Sequence, residues 1–214
     1  MIVLKMKITL KFLLLLIVVK IFFLAIIFVC VDNSWIDIPM NHSKAELRQR
    51  TGFYMFILVG LLGPFLEECM FRLPLVAKPI NFSISGTIIF LYLYSFYTGV
   101  ELDSLDFLGQ RLLLSSVLFI LIYGFCSKYS AQLEMLWKNY KIISIVLMSF
   151  LFAIFHLLNY DSKSLSFLSG LVVVVPYFIS GLIYSHVRLN YNFRLVILIH
   201  MLFNGMGLVL TYLF

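Results

Sequence analysis

Phe12 to Val31 is an unbroken run of 20 residues in which Lys20 carries the only charge. A run of that length and character fits the hydrocarbon core of a bilayer as one α-helix of about 20 residues. The chain repeats the theme. Further apolar stretches cover about Thr51–Ala77, Phe82–Tyr97, Leu112–Phe125, Ile142–Leu158, Leu165–His186 and Phe193 to the last residue. A transmembrane barrel would instead show alternating segments of about ten residues. The expected fold is therefore all-α, a polytopic helical membrane protein of about seven transmembrane helices. Composition agrees: 63% of the residues are hydrophobic and 12% charged, against about 45–50% and about 25% in soluble domains. With no repeat, linker or low-complexity segment, residues 1–214 read as a single integral membrane domain.

Lys5, Lys7 and Lys11 precede the first run in the manner of a signal peptide. The run is longer than an h-region of about 7–15 residues and no A-x-A-like site follows, so it reads as a retained span. Lys20 can snorkel or face the bundle, and snorkelling is the preferred reading. The stretch SKAELRQR, Ser43 to Arg50, reads as an interfacial helix, and so does the polar connection Ser127–Lys141. Lys and Arg in alternate connections number ten against five when the N-terminus is inside. That bias places the N-terminus in the cytoplasm and the C-terminus outside. The net charge of +6 comes from scattered single residues, not the basic stripe of a nucleic-acid binder. Cys30, Cys69 and Cys126 are far apart without a CxxC and read as buried small hydrophobes.

Against this background GPFLEECMFR, Gly63 to Arg72, is anomalous. Charges at membrane depth cost about 2.5–3.5 kcal/mol each on insertion scales, so they are paired, hydrated or used. Glu68 and Arg72 are four apart, on one helix face and in the favourable order for pairing. Glu67 has no such local partner in the sequence. Gly63-Pro64 predicts a kink or break just before it, because proline removes a backbone donor and crowds the preceding turn. Two further apolar segments hold ionisable groups: FLFAIFHLLNY contains His156, and LVILIHMLFNG contains His200 with Asn204 four residues on. Histidine can donate, accept or bind metal near neutrality. Each residue has a structural alternative, Asn204 as interhelical glue and Glu68–Arg72 as a plain ion pair. Their joint presence favours one site.

EECMFR, FAIFH and HMLFN fit EExxxR, FxxxH and HxxxN, in the order found in CPBP intramembrane proteases. The chain resembles that family from about Phe56 to Gly207, with a motif-bearing core of about 51–214. The family includes CAAX-processing endopeptidases of the Ras-converting type and bacterial Abi-type proteins. The resemblance implies that Glu67 activates a water, that Glu68 and Arg72 support it, and that His156 is the FxxxH histidine. It implies too that His200 and Asn204 polarise the scissile carbonyl. The implied function is endopeptidase cleavage of membrane-associated peptides or protein tails, in a prokaryotic cytoplasmic membrane. Two other readings remain: a non-proteolytic partner assisting envelope or lipoprotein modification, and a proton-coupled transporter, which would be expected to show repeat symmetry. Expected partners are membrane lipid and a peptide or protein substrate, with no nucleic acid; the sequence does not specify an oligomeric state. No cofactor is expected, since HExxH is absent and Asn is a poor zinc ligand, although Glu and two His leave a divalent metal conceivable. The gap between Glu68 and His156 leaves room for two extra spans. Counting at about 1.5 Å per residue places Glu67 and His200 in the inner half of the bilayer and His156 toward its outer side. A shared site then requires shifted boundaries or a broken helix, with Pro64 and Pro176 marking the places.

Overall fold

The computed structural model describes residues 2–37, 52–100, 104–160 and 165–213. The interfacial helix expected over Ser43–Arg50, with Glu101, Asp103 and Lys163, lies outside the described residues. In chain order the elements are α1 (Ile2–Asp32), α2 (Gly52–Met55), a π-helical segment (Phe56–Leu62) and α3 (Gly63–Phe71). There follow α4 (Pro79–Thr98), α5 (Leu108–Lys128), α6 (Ser130–Asn139), α7 (Lys141–Phe155) and a 3-10 turn (His156–Asn159). The last two are α8 (Phe167–Asn190) and α9 (Phe193–Leu213). The all-α expectation holds: the described chain is a polytopic helical membrane protein. Among the described residues six helices are long and apolar enough to cross a membrane: α1, α4, α5, α7 with its 3-10 turn, α8 and α9. The second expected span is the composite 52–71, helical throughout but in three pieces. Between 6% and 28% of each apolar window is buried. The remainder faces outward, where lipid rather than protein would meet it.

The chain divides into two compact units, 1–65 with 145–214, and 66–144. In the first, α1 packs against α8 and α9, α8 against α9, and α9 against the π segment. Two of its helix starts are capped by short polar residues. Ser166 accepts the Ser169 backbone N–H at 3.2 Å to cap α8, and the Asn192 side chain accepts that of Leu195 at 2.9 Å at the start of α9. The Ser169 hydroxyl donates to the Asp37 carbonyl at 2.7 Å and ties the end of the first span to the head of α8. Lys20 is exposed along α1 yet has an aromatic neighbour on another helix. Its Nζ turns onto α9, 5.1 Å from the centre of the Phe203 ring. Gly207 makes room there, since a Cβ on it would come within 3.3 Å of that nitrogen. A cation over an aromatic face is stabilised in an apolar setting that offers little water.

The second unit is built on the α4–α5 pair. Pro79 in the first turn of α4 uses a position where the missing N–H costs nothing, and Gly99 closes the helix in the left-handed region at φ 67°. Arg111, only 3% exposed, donates to the carbonyls of Ser104 and Asp106. It thereby braces the turn in which Phe107 takes a φ of 54°. The short α6 buries no residue and rests Trp137 edge-on against Phe82 at 5.0 Å.

Candidate active site

Glu67, Glu68 and Arg72 all derive from the region around α3, in the second unit. Glu68 and Arg72 are fully buried, with Arg72 Nε 3.5 Å from Glu68 Oε2. The i,i+4 spacing read from the sequence thus forms the expected pair. The neighbouring chain is buried as well, at Met70, Phe71, Leu73 and Pro74. The Ser85 hydroxyl of α4 donates to the Met70 carbonyl and fixes the two helices locally. Glu67, one residue before the paired carboxylate, is only half-buried. The Tyr92 phenol of α4 feels its carboxylate electrostatically, a neighbour that no motif indicated.

The helix break ahead of Glu67 is a change of register. The segment before Gly63 is π-helical, with i→i−5 pairing, and α-helical pairing resumes at Gly63. Continuing the π register would make Pro64 the donor to the Val59 carbonyl, and proline has no N–H. Asn204 of α9 supplies the missing proton: its Nδ2 reaches Val59 O at 3.4 Å, a long hydrogen bond. Val59 packs in turn on buried Leu208, one turn beyond Asn204. The structural alternative for Asn204 is therefore realised, and its amide still has a second N–H.

His156 and His200 lie in the first unit. His156 opens the 3-10 turn that ends α7, and its Nδ1 donates to the Phe152 carbonyl at 2.8 Å. That bond fixes the tautomer: in the neutral ring Nε2 is the accepting nitrogen. His200 is 3% exposed in the middle of α9. Phe152 touches both imidazoles edge-on, with ring centres 4.6 Å from His156 and 5.9 Å from His200. Both histidines therefore meet at one ring, although the span count placed them at different depths. Two tyrosines of α8 complete the cluster. Tyr177 stacks on His156 at 3.8 Å, and Tyr184 stacks on His200 at 4.5 Å. Neither was selected from the sequence, although their spacing of seven places them on one helix face.

No group of three or more His, Cys, Asp or Glu side chains able to hold a metal ion is present among the described residues. In this helical membrane protein one unit carries a buried Glu–Arg pair with a second carboxylate beside it, and the other carries two ring-stacked imidazoles. The family described as type II CAAX prenyl endopeptidase Rce1-like matches residues 49–206, and the chain belongs to that family. All six residues drawn from the three motifs fall within that range, and α1 lies before it. The family is one of proteases. No curated protein and no solved structure matches the chain.

Proposed function

We propose that the chain is an intramembrane endopeptidase that hydrolyses peptide bonds of membrane-associated peptides or protein tails, using a water activated by Glu67. The observation that supports this most is the gathering of His156 and His200 against one ring, Phe152, in a chain whose family is proteolytic. In this reading Glu67 takes a proton from water as the oxygen attacks the scissile carbonyl, and later delivers it to the departing amine. His156, with Nδ1 committed to Phe152 O, offers Nε2 to accept a hydrogen bond from that water. The oxyanion that forms is met by His200 and by the second N–H of Asn204, whose first is held on Val59 O. Donors fixed in advance in a water-poor site are the largest single contribution to such reactions. Glu68 and Arg72 neutralise one another and keep α3 rigid under Glu67. We assign the N-terminus to the cytoplasmic side, as the ten-to-five distribution of Lys and Arg implies.

The family description points to a C-terminal tail as substrate; in a prokaryotic host, precursor peptides and leader sequences take that place. The test is cleavage of a panel of quenched tail and leader peptides by the purified protein in detergent. Turnover that Glu67→Gln abolishes is expected. A protein that binds such peptides without cutting any would favour the non-proteolytic partner.

A further inference from the structure

The two tyrosines of α8 have a common origin. Tyr177 and Tyr184 are seven residues apart, two helical turns, and therefore stand one above the other. Each lies almost flat on one imidazole, the ring planes 25° apart in both pairs. Phe152 closes the group from the side, 6.2 Å from Tyr184 and nearly perpendicular to it at 85°. Small residues hold α7 and α8 in this register. A Cβ on Gly181 would come within 3.0 Å of Ser149 Cβ and 3.1 Å of its Cα, so only glycine permits the approach. The hydroxyls of Ser149 and Ser185 meet at 3.3 Å across the same contact. Close backbone approach at small residues is how helices lock without a hydrophobic drive between them. With the antiparallel helices pinned there, Tyr177, one turn before Gly181, faces His156, and Tyr184, one turn after it, faces Phe152 and His200.

A face-on stack restricts rotation of an imidazole about its χ2, which is otherwise a broad torsion. For His156 the stack adds to the Nδ1 hydrogen bond, and together they define both ring plane and tautomer. For His200 the plane is held between a flat Tyr184 and an edge-on Phe152. We propose that Tyr177 and Tyr184 are positioning residues, a two-ring clamp that sets the planes of His156 and His200 for hydrolysis. The proposal rests on the peptidase reading for its purpose, and on the ring geometry alone for its existence.

The experiment has two readouts on the same purified full-length variants. The first, without substrate, is the imidazole ring resonances of histidine-labelled protein in detergent, assigned with His156→Gln and His200→Gln. A stacked phenol shields these protons. Tyr177→Leu is expected to move the His156 signals and Tyr184→Leu those of His200, whereas Tyr177→Phe and Tyr184→Phe leave them in place. The second is turnover of a cleaved peptide. The Leu variants should lose up to about 100-fold in kcat with KM within about twofold, the size of loss that slight misplacement of reacting groups produces, and the Phe variants should recover it. Tyr184 is 1% exposed and Tyr177 half-buried, so the Tyr177 pair keeps the test available if Tyr184→Leu does not fold. Ring signals unmoved in folded Leu variants overturn the clamp, as do Phe variants no more active than Leu. Shifts that follow the stack in a parent that cleaves nothing support the clamp and count against the peptidase reading instead.

Discussion

Asn204 illustrates how one side chain can serve both structure and chemistry. Its amide has two N–H groups, and one is used on the Val59 carbonyl that Pro64 leaves without a donor in the π register. The sequence offered oxyanion donor and interhelical glue as alternatives; the structure shows the second, and the mechanism we propose uses the N–H that it leaves over for the first. Asn204→Ala should lower kcat roughly 10²–10³-fold, the usual cost of one oxyanion donor, and should also lower stability. The structural share can be isolated with Pro64→Ala, which restores a backbone N–H at position 64. Asn204→Ala should then destabilise less in the Pro64→Ala background than in the parent. The expected coupling is about 0.5–3 kcal/mol, read from a double-mutant cycle of denaturation in detergent. Additive losses would separate Asn204 from the helix break. Lys20 was left with two roles by the sequence, because periodicity alone does not show that its Nζ comes to lie 5.1 Å from the centre of the Phe203 ring on another helix.

At the scale of the element, α3 and its π-helical lead-in were half legible. Gly63-Pro64 announced a break, and the EExxxR spacing announced the Glu68–Arg72 pair; both are present. The form of the break was not legible. Whether a chain kinks or shifts register depends on what packs on it, here Leu208 against Val59 and Gly60, and those contacts come from 145 residues or more further along. The pair is fully buried, and removing one partner leaves the other charge in an apolar setting. Arg72→Ala should therefore destabilise by about 3–5 kcal/mol, visible as a lower melting temperature in detergent, with turnover falling in parallel. Replacing both residues by apolar ones of similar volume should cost less stability than Arg72→Ala alone. A parent-like melt for Arg72→Ala would remove the pair from the structural account. The histidines were read from the sequence as members of one site, and the structure gathers both against Phe152. Their motifs gave the positions, while the span count set them at different depths, because helix starts in a bundle need not be level. Tyr177 and Tyr184 escaped because aromatic residues are common in apolar spans, and only their partners distinguish them from lipid-facing ones.

For the molecule as a whole, long apolar runs fixed the class without ambiguity, since a bilayer accepts few solutions for such stretches. Counting spans was harder: among the described residues six helices qualify by length and composition, and the composite 52–71 makes seven if it crosses. An odd count puts the termini on opposite sides. Cysteine-accessibility labelling should find introduced residues before Phe12 and near Phe214 on different faces of the membrane, with the N-terminal one cytoplasmic. Labelling of both from one side would reduce the crossings to an even number. The reaction assigned to the molecule depends on one group, the half-buried Glu67 beside a carboxylate already paired. Glu67→Gln preserves its size and hydrogen-bonding capacity and removes its basicity. The decisive measurement is peptide turnover by purified parent and Glu67→Gln, each with and without a chelator. The account predicts parent turnover unaffected by chelator, and a folded Glu67→Gln variant with no detectable cleavage; turnover by that variant at the parent's rate, or parent activity lost to chelator and restored by zinc, would contradict it.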